Sequence, residues 1–170
     1  MLTAVLILLG LLLAFLAAGI VFFVGMRTKS RPVLNAVRRF NRPFTNPRAM
    51  EDAGAPGAYA SVVRHVGRKT GRRYETPVQV FPSERGFVIA LPYGPETDWL
   101  KNVLASGAAT IVADGITYMI DRPELVPTAE AAPDLPDKEQ RTLRRFHVDR
   151  CLRVRRTARE QVSAHLVVPA

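Results

Sequence analysis

The sequence predicts a mainly β domain, a small antiparallel barrel with helices outside it, behind one apolar helix at the amino terminus. Three observations predict this fold class. Residues 2–24 carry no charge. Short stretches rich in β-branched residues follow one another at hairpin spacing between residues 59 and 123. One short stretch with helix start and stop signals lies between the hairpins, as expected for a helix packed on a barrel.

The uncharged stretch is long enough to cross a membrane. At about 1.5 Å per helical residue it would reach roughly 34 Å, against a bilayer core of about 30 Å. A signal peptide is the alternative, because the small residues of AFLAAG could be cut. Signal peptides, however, carry their cations first. We therefore expect residues 1–26 to be a single-pass anchor in the cell membrane. The carboxyl-terminal domain should then face the cytoplasm, because the cations follow the span: Arg27, Lys29, Arg31, Arg38, Arg39, Arg42 and Arg48.

Residues 27–57 are expected to form a basic juxtamembrane segment and linker. Leu34 and Val37 fall near one face of a helix, and Pro32 suits its first turn. Such a helix could lie on anionic lipid headgroups, where each cation near the surface contributes about 1 kcal/mol. A solvated linker is the alternative, because prolines and asparagines interrupt the pattern.

The barrel domain is expected over residues 58–170. A short helix should begin after Thr97 as its N-cap, with Asp98 in its first turn, and should end at Gly107. The stretch DKEQRTLRRFHVDRCLRVR also looks helical. Asp114-Gly115 is the strongest hairpin signal in the chain. Strands are expected at residues 59–66, 74–81, 86–92, 109–114 and 116–123.

A tight basic turn separates the first two predicted strands. In VGRKTGRR, four cations surround Thr70 and Gly71. The backbone N–H groups of such a turn, together with guanidinium and ammonium groups, would make an anion nest. A solvated basic surface turn is the alternative. Neither a Walker loop nor a dinucleotide-binding glycine fingerprint is present in the sequence.

In this order, four pieces resemble the deazaflavin-dependent nitroreductase family, split β-barrel oxidoreductases that include quinone reductases of reduced coenzyme F(420). They are GRKTG between two strands, the proline of ETPV, Gly94 after the third strand, and WLKNVLASG, which is similar to the family's W-x-x-N helix. The resemblance covers residues 58–126. It implies an α+β or mainly β split β-barrel of the FMN-binding type with peripheral helices.

The resemblance also implies how a coenzyme would be held. The phosphate would be bound by Arg68, Lys69, Thr70 and Gly71. Arg72 or Arg73 would substitute for an arginine that the family often has at the position of Tyr74. The deazaflavin ring would lie beside the backbone of Thr76, Pro77 and Val78.

On the acceptor side, Tyr93, Asp98 and Asn102 could supply hydrogen bonds, and Trp99 opens the same helix. Each has a structural alternative: Asp98 as a helix N-terminal charge, Trp99 as core packing, and Asn102 as a cap or a bond to the barrel backbone. The carboxyl-terminal tyrosines of well-known family members have no evident counterpart. Because reduced deazaflavin supplies hydride, no acid–base pair is required, and we predict no catalytic side chain.

Together these features predict a membrane-anchored oxidoreductase that uses reduced F(420) to reduce a lipid-soluble quinone or nitro compound. A non-catalytic cofactor-binding or lipid-binding protein, or a relative that binds FMN, is the alternative. No metal site is expected, since His65, His147 and His165 lack ligand spacing, and the single Cys151 makes no pair. The arginines of residues 141–159 include no motif that reads nucleic acid, so no nucleic-acid partner is expected. A homodimer stays open.

Overall fold

The computed structural model describes residues 1–161, except for the side chains of Arg42 and of residues 158–161. These residues fold into one antiparallel sheet, four amino-terminal helical segments and three further α-helices. The helices are α1 (Leu2–Arg27), α2 (Arg31–Phe40), a π-helical segment (Asn41–Thr45), α3 (Asn46–Met50), α4 (Asp98–Ser106), α5 (Thr128–Ala131) and α6 (Asp137–Arg145). The strands are β1 (Ser61–Val66), β2 (Arg73–Val78), β3 (Val80–Pro82), β4 (Gly86–Ala90), β5 (Ala108–Ala113), β6 (Ile116–Pro127) and β7 (Arg150–Gln161).

The sheet curls back on itself. Its strand order is β2-β1-β5-β6-β7-β4-β3, so β2 and β3 are its two edges. Yet β2 ends at Val78 and β3 begins at Val80, with only Gln79 between them. Because consecutive Cα atoms are about 3.8 Å apart, the two edges must meet at this point. The expected antiparallel β architecture is therefore confirmed as a curled seven-stranded half-barrel with helices, and the single strand expected over residues 74–81 is divided in two.

The alternation of side chains along the strands separates two cores. On β4, Phe87 and Ile89 belong to an inner core, whereas Val88 between them belongs to an outer one. Helix α4 adds Leu100 and Val103 to the inner core. Helices α5 and α6 cover the outer core, which comprises Phe81, Val88, Val126, Ala131, Leu135, Leu143, Val148 and Cys151. The barrel thus has packed apolar residues on both faces of β4 and β7.

One predicted helix is wrong over half its length. Residues 137–155 were expected to be helical throughout, but α6 ends at Arg145 and β7 starts at Arg150. In β7, Leu152 and Val154 point to the inner core. The arginines that alternate with them, Arg153 and Arg155, point outward. This alternation has the period of a strand, and the arginines concealed it. The outward arginines are paired: Arg153 with Glu130 and Arg155 with Asp121.

The other predicted elements agree with the structure to within a few residues. Helix α4 spans Asp98–Ser106 and ends at Gly107, although Thr97 makes no side-chain capping bond. Asp114 and Gly115 have φ values of 52° and 73°, as a two-residue hairpin turn requires. Helix α2 covers the expected residues, and helical structure then continues to Met50 instead of giving way to a linker.

Helix α1 has the length and composition of a membrane span, with a mean hydropathy of 3.0 over an 18-residue window that is not buried in the protein. Its end is attached to the globular domain. Arg27 donates a hydrogen bond to the carbonyl oxygen of Arg145, and the rings of Phe23 and Phe146 meet edge to face with centroids 5.6 Å apart. The proposed division at residues 26 and 57 stays a prediction, and residues 162–170 lie outside the described part.

Gly86 marks the closest approach of β4 to β7. A Cβ atom there would collide with the carbonyl oxygen of Val154 and lie 2.8 Å from the nitrogen of Arg156. We predict that Gly86→Ala lowers the free energy of unfolding by about 2–4 kcal/mol, because backbone must move. Urea unfolding of the detergent-solubilised protein measures this. Gly107→Ala is the control: that glycine has φ 71° and open space around it. Its substitution should lower the free energy of unfolding by only about 1–2 kcal/mol, because it adds backbone strain but no collision. Equal losses would contradict the steric explanation.

Candidate functional site

The basic turn between β1 and β2 closes on itself. The N–H groups of Thr70 and Gly71 both donate to the carbonyl oxygen of Gly67, at 3.2 and 2.8 Å, and the Gly67 N–H donates to Arg72. Gly71 has φ 66°, which a glycine adopts without strain. The turn therefore uses the backbone N–H groups of Thr70 and Gly71 internally, and phosphate binding by residues 68–71 stays a prediction.

Asn102 of α4 fixes this turn to the helix. Its Oδ1 accepts hydrogen bonds from the backbone N–H of Arg68 at 3.1 Å and from the Arg68 guanidinium at 2.8 Å. The same guanidinium pairs with Asp98, 3.0 Å away. Arg68, which was expected to cradle a phosphate, is thus held by α4. Asn102 bonds to a backbone group of the turn, and Asp98 lies in the first turn of α4, as their structural alternatives predicted.

His65 connects Asn102 to β2 and was not among the predicted site residues. Its Nδ1 lies 3.2 Å from Asn102 Nδ2, and its Nε2 lies 3.2 Å from the hydroxyl of Thr76. Because Asn102 Oδ1 faces Arg68, its amide N–H must point at Nδ1, and the imidazole proton then resides on Nε2. His65 is only 6% exposed, and burial lowers its pKa. The signal in the sequence was its place beside Val63 on the inward-facing alternation of β1.

Three cations of the turn remain exposed. Within residues 1–161, the side chains of Lys69, Arg72 and Arg73 make no hydrogen bond or ion pair. Thr70 and Tyr74 contact each other through their hydroxyls at 3.3 Å, and the Tyr74 ring stacks on His65 with centroids 5.8 Å apart. The turn is therefore a positioned group of positive side chains at the start of β2.

The predicted ring-binding residues lie on a sheet edge. In the described chain, β2 pairs only with β1, and Thr76, Pro77 and Val78 are half-buried. Val78 packs on the inner core, and Thr76 faces His65. One backbone edge of β2 is consequently not part of the described strand ladder, and α3 contacts the strand.

The four acceptor-side candidates lie in three different places in the structure. Tyr93 lies apart from the basic turn: its hydroxyl accepts a hydrogen bond from Asn41 at 2.9 Å, and its carbonyl oxygen accepts one from Arg38. Trp99 packs against the inner core, as its structural alternative predicted. Asp98 and Asn102 hold Arg68. The structure thus brings Asp98 and Asn102 to the turn and places Tyr93 on a different wall.

That wall belongs to a cleft that the sequence did not indicate. The cleft has a volume of about 590 Å³ and lies between α2, residues 91–96 and the start of β7. It forms only when three distant segments meet. Its charged lining consists of Lys29, Arg31, Arg38, Arg150, Glu96 and Asp149. In the described part of the chain, no group of three or more His, Cys, Asp or Glu side chains could hold a metal ion.

Solved structures give two weak likenesses. An F(420) reductase is 14% identical, covering 65% of this chain and 94% of its own, with a TM-score of 0.45. An FMN-binding protein from Syntrophomonas wolfei subsp. wolfei is also 14% identical, covering 78% and 99%, with a TM-score of 0.44. Because both TM-scores are below 0.5, neither likeness assigns a fold family or an activity. No protein-family model matches the sequence, and the comparison with curated proteins finds no match.

The burial of neutral His65 predicts a pH dependence of stability. Its pKa in the folded protein is lowered, so the unfolded chain binds a proton first as the pH falls below about 6.5. The free energy of unfolding should therefore decrease from about pH 7 to pH 5 and should level off once the folded form is also protonated. His65→Gln should flatten this decrease. The exposed His147 supplies the control, since His147→Gln should leave the slope unchanged. Equal slopes in wild type and His65→Gln would contradict the prediction.

Proposed function

We propose that the protein is a membrane-anchored split β-barrel oxidoreductase of the FMN-binding type. It would use reduced coenzyme F(420) to reduce a lipid-soluble acceptor such as a quinone or a nitro compound. One observation carries the proposal. The turn that the sequence likens to a phosphate-binding motif is pinned to α4 through Asn102. This anchoring leaves Lys69, Arg72 and Arg73 exposed beside an unpaired strand edge.

The residues fit a phosphorylated coenzyme tail, but in a different way from the expected nest. Lys69, Arg72 and Arg73 would bind the phosphate through their side chains, since charged hydrogen bonds to phosphate are among the strong ones. Arg68 would position the turn. Pinning matters because a turn whose backbone is already held loses less conformational freedom on binding.

The chain's own residues would then align the reactants. Bound deazaflavin supplies two electrons as hydride from its ring carbon. Thr76, Pro77 and Val78 would support the ring along the edge of β2, and the inner core behind Val78 excludes water from that side. Holding donor and acceptor in line is the main task for the protein in hydride transfer.

The anchor supports a lipid-soluble acceptor. We propose that α1 crosses the cell membrane and that the barrel lies on the cytoplasmic side, because cations follow the span. The contacts of Arg27 and Phe23 with the end of α6 hold the domain against the end of the helix. A domain held at the bilayer meets membrane-dissolved molecules at a high effective concentration.

Binding without turnover is a second candidate, favoured by a specific observation. Of the four acceptor-side candidates, Asp98 and Asn102 are bonded to Arg68, Trp99 packs against the inner core, and Tyr93 lies on a wall of the separate cleft. A group that polarises an acceptor must lie beside it with a hydrogen bond left to give.

Coenzyme binding can be tested by titrating the detergent-solubilised full chain with F(420) and with FMN, followed by fluorescence. We predict that Lys69→Gln with Arg72→Gln weakens F(420) binding by about 1.5–3 kcal/mol for each charged hydrogen bond lost. Lys138→Gln with Arg141→Gln is the matched control, because it removes the same charge from exposed positions on α6. Equal weakening of F(420) binding by both pairs would mean that the turn contributes only through the total charge of the protein. Binding of FMN alone would overturn the assignment of the coenzyme.

Turnover separates the enzyme from the binder. Protein in lipid vesicles, supplied with reduced F(420) and a lipid-soluble quinone, should speed the reappearance of oxidised coenzyme, measured by its absorbance. The Lys69→Gln, Arg72→Gln double variant should be slower when coenzyme is limiting. If wild type binds F(420) but oxidises it no faster than vesicles without protein, with either a quinone or a nitroaromatic acceptor, the protein binds the coenzyme without turnover.

A further inference from the structure

We propose that the cleft between α2 and residues 91–96 binds the phosphate group of an anionic phospholipid. This inference rests on the proposed placement of α1 in a membrane, but it does not depend on the coenzyme. The cleft is lined by residues other than those of the basic turn. A lipid held there would fix the tilt of the barrel against the bilayer.

The charge of the cleft suits an anion. Four cations line it against two carboxylates. One of those carboxylates, Glu96, is already bound by Lys101. Arg31 and Arg150 are exposed, and within residues 1–161 their side chains make no hydrogen bond or ion pair. The cleft therefore has cationic groups to spare, whereas the arginines of β7 that face Asp121 and Glu130 are neutralised.

An unsatisfied donor in this cleft points to a missing acceptor. The guanidinium of Arg38 donates to the carbonyl oxygen of Tyr93 and, at 3.5 Å, to Asn35. Its Nε atom is buried and has no hydrogen-bond partner among the described residues. Buried polar groups in native proteins nearly always have a partner, and an unpaired one calls for an explanation. A phosphate oxygen in the cleft would accept this bond once the Arg38 side chain turns its Nε toward the cleft.

Helix α2 presents one face to the cleft. Arg31, Leu34, Asn35 and Arg38 all line it, and their spacing is that of a single helical face. The helix is ten residues long, and the side chain of its N-cap, Ser30, makes no capping bond. The first N–H groups of α2 thus add to the positive potential at the same end as Arg31.

A lipid is the favoured source of the phosphate, because contacts between neighbouring residues connect the cleft to an apolar groove on α1. Lys29 of the cleft donates to the carbonyl oxygen of Phe146 at 3.0 Å, and the Phe146 ring packs on Phe23. Phe23 and Gly19 are among the residues that line this groove, which has a volume of about 320 Å³. An acyl chain could lie in this groove while its phosphate occupies the cleft. A soluble phosphorylated molecule would use the cleft alone.

The test measures binding of short-chain phosphatidylglycerol to the full chain in an uncharged detergent, by thermal shift and native mass spectrometry. Arg31→Gln with Arg150→Gln should weaken binding about tenfold, because both groups face the phosphate and neither supports the fold. Arg39→Gln with Arg48→Gln is the matched control: it removes the same charge from exposed positions outside the cleft and should change binding little. Phosphatidylcholine and glycerol 3-phosphate are the comparison ligands.

Each outcome decides the proposal. Selective loss of phosphatidylglycerol binding in the cleft variant supports it. Equal loss in the cleft and control variants overturns it in favour of diffuse attraction. No loss in either variant overturns it outright. Tight binding of glycerol 3-phosphate with no gain from acyl chains keeps the phosphate but overturns the lipid. Equal binding of phosphatidylcholine overturns the requirement for an anion. All these results are independent of F(420) titration, so either proposal can fail alone.

Discussion

The architecture depends on one constraint, the one-residue link between the two edge strands. Gln79 is all that separates β2 from β3, although these strands lie at opposite ends of the sheet order. Such a short link is possible only if the sheet curls until its edges meet. The curl converts alternating strands into an inner and an outer surface, so that Ile89 and Val88, adjacent in sequence, serve different cores. It also leaves the backbone edge of β2 beside the turn that carries the exposed cations.

The polar chain from Thr76 through His65 and Asn102 to Arg68 follows from this closure. Helix α4 packs onto the inner core through Leu100 and Val103, and the same turn of helix buries Asn102 at the end of β1. A buried amide and a buried imidazole are costly unless both are hydrogen-bonded. Here each satisfies the other, and the remaining oxygen of Asn102 holds the basic turn. Stability and the position of the turn are therefore linked through the same two side chains.

What the sequence could predict depends on whether the signal was local. Asp114-Gly115, the span of α4 and the apolar length of α1 rest on neighbouring residues, and each was predictable. Strand β7 was missed because its outward positions are arginines, whose partners Asp121 and Glu130 come from elsewhere in the chain. The internal bonds of the Thr70 and Gly71 N–H groups were not predicted, because the sequence does not show which donors a glycine-bounded turn uses within itself. His65 had an inward pattern but no visible partner until α4 was placed.

The distribution of paired and unpaired cations is more informative than the net charge of +9. Within β7, Arg153 and Arg155 have carboxylate partners, and Arg156 lies over the ring of Tyr118, so the middle of this strand offers little free charge. Cations without an ion pair in the described structure lie elsewhere, among them Lys69 at the turn and Arg31 in the cleft. Two separated cationic sites of this kind would attract anions to different places on one domain. Long-range attraction grows with total charge, but cations without protein partners can bond a bound anion without first breaking an existing ion pair, so the proposed selectivity would depend on where those cations lie.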